Sequence, residues 1–210
     1  MRAVWTRWRD VWRRLSSRGV YPHELAWLLL LPGRGLLFSA RRLVDELAPR
    51  PDARVLELGP GPGYFSVAVA RAIPNGRLAL VDLQREMLAK ARRRLQRAGA
   101  ANVSFTQASA DRLPFRPGSF DAAFLVAVLG EVGDPGACLA ALAHALRPGG
   151  TLLVAELPGD PDALSESALR ELAEDAGLAF AGAARFRGGF AARFSRSAAV
   201  DFPPAHSSNG

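Results

Sequence analysis

The chain has 210 residues, of which 49% are apolar and 22% charged, with one cysteine (Cys138) and three histidines (His23, His144, His206). That length and balance fit one domain with terminal extensions and enough core to fold without a disulfide or structural metal; they exclude global disorder, disulfide scaffolds, zinc ribbons and CxxC redox motifs. The net charge of +7 is uneven, with +6 on residues 1–50, −2 on 51–177 and +3 on 178–210.

Residues 3–15 are predicted as an amphipathic helix: Val4, Trp5, Trp8, Val11, Trp12 and Leu15 share one arc, and Arg2, Arg7, Arg9, Arg13 and Arg14 lie opposite. Helices follow over 23–31 and 36–47, the latter ending before Pro49-Arg50-Pro51. Strands are then predicted at 54–58, 77–82, 102–107, 120–128 and 151–156. Helices alternate with them at 64–73, 84–98, 135–146 and 164–176, with Arg147-Pro-Gly-Gly150 read as the stop of the third. Residues 178–187 and 190–196, joined at Gly188-Gly189, read as an antiparallel hairpin. The pattern predicts an α/β fold: a doubly wound, mainly parallel seven-stranded sheet with an antiparallel C-terminal hairpin strand, preceded by N-terminal helices. The expected organisation is an extension over 1–48, a ligand-binding domain over 49–198 and a disordered tail over 199–210.

The longest apolar run, Leu25–Leu31, is closed by Pro32 and falls well short of the roughly 20 residues that span a bilayer. With no secretory signal pattern at its start, the chain is expected to be cytoplasmic. The tryptophan stripe leaves open contact with a membrane surface through residues 1–18. Lys90 is the only lysine, so the basic excess is almost all arginine. Beside abundant Ala, Gly and Pro it reads as compositional bias more than as a nucleic-acid footprint, and nucleic acid is not an expected partner.

The most informative stretch is Val55-Leu-Glu-Leu-Gly-Pro-Gly-Pro-Gly-Tyr-Phe-Ser66, a strand running into Gly59-x-Gly61-x-Gly63 and then a helix. Such glycines allow a tight turn and the close approach of a ligand. A dinucleotide fingerprint G-x-G-x-x-G would need glycine at 64 or 66, where Tyr64 and Ser66 stand, and no P-loop Gly-Lys-Ser/Thr is present. Asp82 closes the second strand, where a carboxylate can accept both ribose hydroxyls, and Leu83 could pack on an adenine face. The alternative role for Asp82 is to cap the helix from Gln84 onward.

From about Arg41 to Ser195 the chain resembles the class I, Rossmann-like S-adenosylmethionine-dependent methyltransferases, in the small-molecule group. Four segments carry the likeness: Val55–Gly63, Leu80-Val-Asp-Leu83, Leu113-Pro-Phe-Arg-Pro-Gly-Ser-Phe-Asp121 and Leu146-Arg-Pro-Gly-Gly-Thr-Leu-Leu153. The resemblance implies S-adenosylmethionine as cofactor, with Gly59, Gly61 and Gly63 beneath it, Glu57 anchoring its amine, Asp82 on the ribose and Leu83 at the adenine. It places Val126 and Ala127 at the methionine end. The family's Asp after the third strand aligns with Ser109, followed by Ala110; this is a departure, and Asp111 could substitute.

Methyl transfer needs an aligned acceptor and only sometimes a base. His23 and Glu131 are the candidates for that role, each with an ordinary structural alternative, and no metal is expected. With little insertion between Glu156 and Leu178, the acceptor's cover falls to residues 1–48, whose Trp and Leu content suggests a small apolar acceptor. A nucleic-acid or protein methyltransferase, and a non-catalytic module binding S-adenosylmethionine at a membrane surface, stay open as alternatives.

Overall fold

A computed structural model describes residues 38–157 and 162–197; the segments predicted at 3–15 and 23–31, His23 and the tail lie outside the described residues. Helix α1 (Ala40–Leu47) opens the described chain, and β1 (Arg54–Leu58) follows it. Then come α2 (Ser66–Ala72), β2 (Arg77–Asp82), α3 (Arg85–Arg97), β3 (Val103–Gln107) and β4 (Phe120–Val126). A 3₁₀ turn (Leu129–Glu131), α4 (Pro135–Ala145), β5 (Leu146–Glu156), α5 (Glu166–Asp175), β6 (Leu178–Phe186) and β7 (Gly189–Arg196) complete it.

The seven strands form one sheet in the order β3-β2-β1-β4-β5-β7-β6. Strands β1 to β5 pair in parallel. Only β7 runs against its neighbours, pairing antiparallel with β5 and with β6. The hairpin therefore folds back so that its second strand, not its first, extends the parallel sheet. Strands β1, β2 and β4 are almost wholly buried, as expected of a parallel sheet covered on both faces. Two apolar layers result. One is built on Leu56, Val81, Leu125, Leu139 and Phe194, and the other on Val55, Leu80, Phe124, Leu43 and Ile73.

Several boundaries differ from the sequence expectation, each for a local reason. Helix α1 starts at residue 40 rather than 36 because Ser39 is its N-cap and accepts the Arg42 N–H at 3.1 Å. Ser165 caps α5 in the same way through the Ala168 N–H, at 3.2 Å, so that helix starts at 166 rather than 164. Helix α2 starts at 66 rather than 64, since residues 61–65 continue the glycine turn. The segment 147–150, expected as a helix stop, belongs to β5: Leu146 pairs with Phe120, and the register shifts before Ala122 pairs with Thr151. Gly149, at φ 71°, accommodates that irregularity.

Candidate functional site

The parallel strands reverse their order of addition at β1, with β2 on one side and β4 on the other. The crevice at the carboxyl ends of these strands is where an open α/β sheet accepts a ligand. Glu57, Asp82 and Val126 all come from these strand ends, and the loops after them carry the rest of the site.

Beyond Leu58 the chain turns through Gly59 (φ 66°), Gly61 (φ 51°) and Gly63 (φ 81°). Two of these positions are crowded as well as left-handed. A Cβ on Gly59 would lie 2.5 Å from Val128 Cγ2, and one on Gly63 would lie 3.1 Å from Ala91 Cα. The turn is stitched to its surroundings by the Gly59 N–H to the Val81 carbonyl (2.8 Å) and the Gly63 N–H to the Pro60 carbonyl (2.9 Å).

Asp82 points at this turn. Its carboxylate takes the backbone N–H groups of Gln84, Gly61 and Leu83, the Gln84 bond being 2.8 Å to Oδ1. Burial is the main influence on it and pushes its pKa up to about 6, against the pull of those three donors. The capping role foreseen as an alternative is not the one it plays: the N-cap of α3 is Gln84, which makes no side-chain capping bond. Leu83 beside it is 52% exposed, a large apolar side chain in water. The β3 end is drawn in by the Ala108 N–H to the Asp82 carbonyl (3.2 Å) and by Gln107 Nε2 to the Leu83 carbonyl (3.0 Å).

Glu57 is 2% exposed, and its Oε2 has no hydrogen-bond partner. Burial lifts its pKa to about 8; the nearby Ser66 hydroxyl opposes the rise and the Asp82 charge adds to it. Ser66 is itself fully buried, and its Oγ also lacks a partner. The two groups are neighbours that stop short of a formed bond. Sequence reasoning missed Ser66; its signal was a lone hydroxyl opening the apolar run Val67-Ala-Val-Ala70.

The remaining predicted positions divide. Ser109 is exposed and its hydroxyl donates to Asp111 Oδ1, which holds the Asp111 carboxyl below the usual range. The charge absent at 109 is thus tethered two residues on. Ala110 packs half-buried on the core with Leu113 and Phe115, so its part is to seat the loop. Val126 is half-buried at the end of β4. Ala127 follows in the left-handed region (φ 52°) and donates to the Ala155 carbonyl at 2.8 Å. Glu131 ends the 3₁₀ turn on the same edge of the sheet, half-buried. A Cβ on neighbouring Gly130 would collide with the Asp162 carbonyl oxygen, so the chain after β5 lies directly on that turn. Next to the glycine turn, Phe65 meets Phe38 at 6.0 Å, and Phe38 stacks on Phe186 of the β6–β7 hairpin at 5.0 Å.

Residues 55–150 match the family model for a methyltransferase domain. Over that stretch, a little under half of its length, the chain carries a methyltransferase domain. Among relatives, it is 36% identical over 154 residues to an uncharacterised 37.1 kDa protein of a Streptomyces fradiae transposon, covering 71% of this chain and 43% of that protein. It is 35% identical over 118 residues to the ubiquinone/menaquinone biosynthesis C-methyltransferase UbiE of Shewanella halifaxensis, covering 55% of this chain and 47% of that one. The chain thus spans about half the length of these relatives. In fold it is similar to a SAM-dependent methyltransferase of Aquifex aeolicus, with a TM-score of 0.78 at 20% identity over 84% of this chain and 100% of that one.

The residues present fit S-adenosylmethionine, the cofactor that the resemblance implies. A buried carboxyl with an unpartnered oxygen suits a cationic amine. Three glycines in the left-handed region bend the chain sharply at the strand end. A carboxylate already ordered by backbone donors suits two ribose hydroxyls. When bound, S-adenosylmethionine supplies the methyl group on a sulfonium together with its leaving group. The chain's own part is to bind, orient and shield.

Proposed function

We propose that this methyltransferase delivers the methyl group to a small, apolar acceptor. The carrying observation is the conjunction at β1 and β2: Asp82 bonded to the glycine turn, beside a buried Glu57 whose Oε2 has no partner. In this reading Glu57 receives the methionyl ammonium, Asp82 the ribose, Leu83 one adenine face and the Ser109–Asp111 pair the adenine edge. Val126 and Ala127 line the methionine end. The kinship to a protein named as a quinone C-methyltransferase and the aromatic group Phe38, Phe65 and Phe186 support an acceptor of flat, apolar character, such as a quinol ring. Phe38, which meets Phe65 beside the glycine turn, lies within the segment 1–48 read as the acceptor's cover, which supports that reading.

Titration calorimetry with S-adenosylmethionine and S-adenosylhomocysteine tests the cofactor half of this reading, and absence of binding by both removes it. Radiolabelled methyl transfer to naphthoquinols and benzoquinols tests the acceptor half. Transfer to nucleic acid or protein in place of these would replace it.

A further inference from the structure

We propose that Ser66 is a positioning residue for cofactor binding: its hydroxyl donates to the Glu57 carboxylate and holds it facing the methionyl ammonium. The inference rests on the cofactor reading above and adds to it a residue outside the turn and strand tips.

Ser66 is 0% exposed and its Oγ has no partner, and Glu57 Oε2 beside it has none either. A buried hydroxyl left unsatisfied is unfavourable, so its presence calls for a reason. Helix capping does not provide one: Ser66 is the first residue inside α2, the N-cap is Phe65, and that cap makes no side-chain bond. Packing does not either, since Ser66 is followed by Val67, Ala68, Val69 and Ala70, and alanine would suit both the apolar face and the helix better. What distinguishes the position is its neighbour. Of the influences on Glu57, Ser66 is the one that favours the ionised carboxyl, against burial and against the charge of Asp82 on the adjacent strand.

A hydroxyl proton swings freely about its C–O bond. Burial favours the neutral Glu57 carboxyl, which makes little demand on Ser66. Beside an ammonium the carboxylate is charged, and a donor on its far side then strengthens and orients it. The pair, with its two unpartnered buried atoms, is therefore suited to holding an ammonium.

The test measures affinity, at several pH values, for two ligands of the full-length protein: S-adenosylhomocysteine, which carries the amine, and methylthioadenosine, which lacks it. The expected result for Ser66→Ala is a loss of roughly tenfold or more for S-adenosylhomocysteine, the worth of one hydrogen bond to a charged group. Methylthioadenosine affinity is expected to be unchanged, and the pH dependence of S-adenosylhomocysteine binding to shift upward. Ser66→Thr is expected to restore the wild-type behaviour. Equal weakening for both ligands would assign Ser66 to packing and overturn the proposal, as would unchanged affinity for both. Failure of the wild-type protein to bind S-adenosylhomocysteine would overturn the cofactor reading itself.

Discussion

The backbone N–H of Gly61 donates to the carboxylate of Asp82, joining the loop after β1 to the tip of β2. The two most informative signals in the sequence, a glycine turn and an acidic strand end, are therefore one physical unit. Replacing Asp82 with alanine removes the ribose acceptor and also a tie that shapes the turn. S-adenosylhomocysteine affinity is expected to fall roughly hundredfold, the sum of two hydrogen bonds to a charged group. Calorimetry checks this, and affinity within a few-fold of wild type would mean that the ribose lies elsewhere.

Gly59 faces two separate obstacles to substitution, a φ of 66° and the side chain of Val128 at 2.5 Å from a would-be Cβ. Gly59→Ala is expected to destabilise the protein by ~1–3 kcal/mol, from strain and overpacking together. Adding Val128→Ala should recover only part of that loss, since the steric conflict goes and the dihedral strain stays. Chemical denaturation of both variants separates the two contributions. Full recovery in the double variant would show that the left-handed backbone costs alanine little here.

Burial of Glu57 fixes the sign of its contribution to the pH dependence of stability. Burial raises its pKa from 4.5 to about 8, so between these values the folded state keeps a proton that the unfolded state has lost. The stability this group contributes is complete below about pH 4.5 and is lost as pH rises through 8. The melting temperature of the cofactor-free protein should therefore decline over that span, and Glu57→Gln should flatten the upper part of the decline, well above the value of about 6 at which Asp82 ionises. Binding of the amine at neutral pH should in turn release close to one proton, seen as buffer-dependent heat that disappears in Glu57→Gln.

Cys138 lies fully buried in α4, and burial, reinforced by the charges of Asp111 and Asp134, pushes its thiol up to about 12. It should resist iodoacetamide at pH 8 in the folded protein and react readily in denaturant. Fast labelling without denaturant would indicate that α4 opens or that its packing is looser than described.

The alternation of strands and helices was legible because a buried parallel strand is a short apolar run between turn residues. Arg54–Leu58 and Arg77–Asp82 are read at their exact limits from that alone. The start of β5 was not legible, because Arg147-Pro-Gly-Gly150 looks like punctuation whether it ends a helix or bulges a strand; only pairing of Leu146 with Phe120 decides it. In the site, Glu57, Asp82 and the glycines announce themselves by charge or turn chemistry. Ser66 does not, since a serine at a helix start is usually a cap, and its meaning comes from a neighbour nine residues earlier in the chain. The tether from Ser109 to Asp111 shows the converse case, a departure from the family pattern whose remedy stood two residues away in the sequence.

The fit of Gly130 against the Asp162 main chain bears on how such a protein can diversify. The two segments that follow β4 and β5 are interlocked at a point that tolerates no added atom. New acceptor preferences would then arise by lengthening or exchanging whole segments, or by remodelling the aromatic group at Phe38, rather than by stepwise enlargement of residue 130.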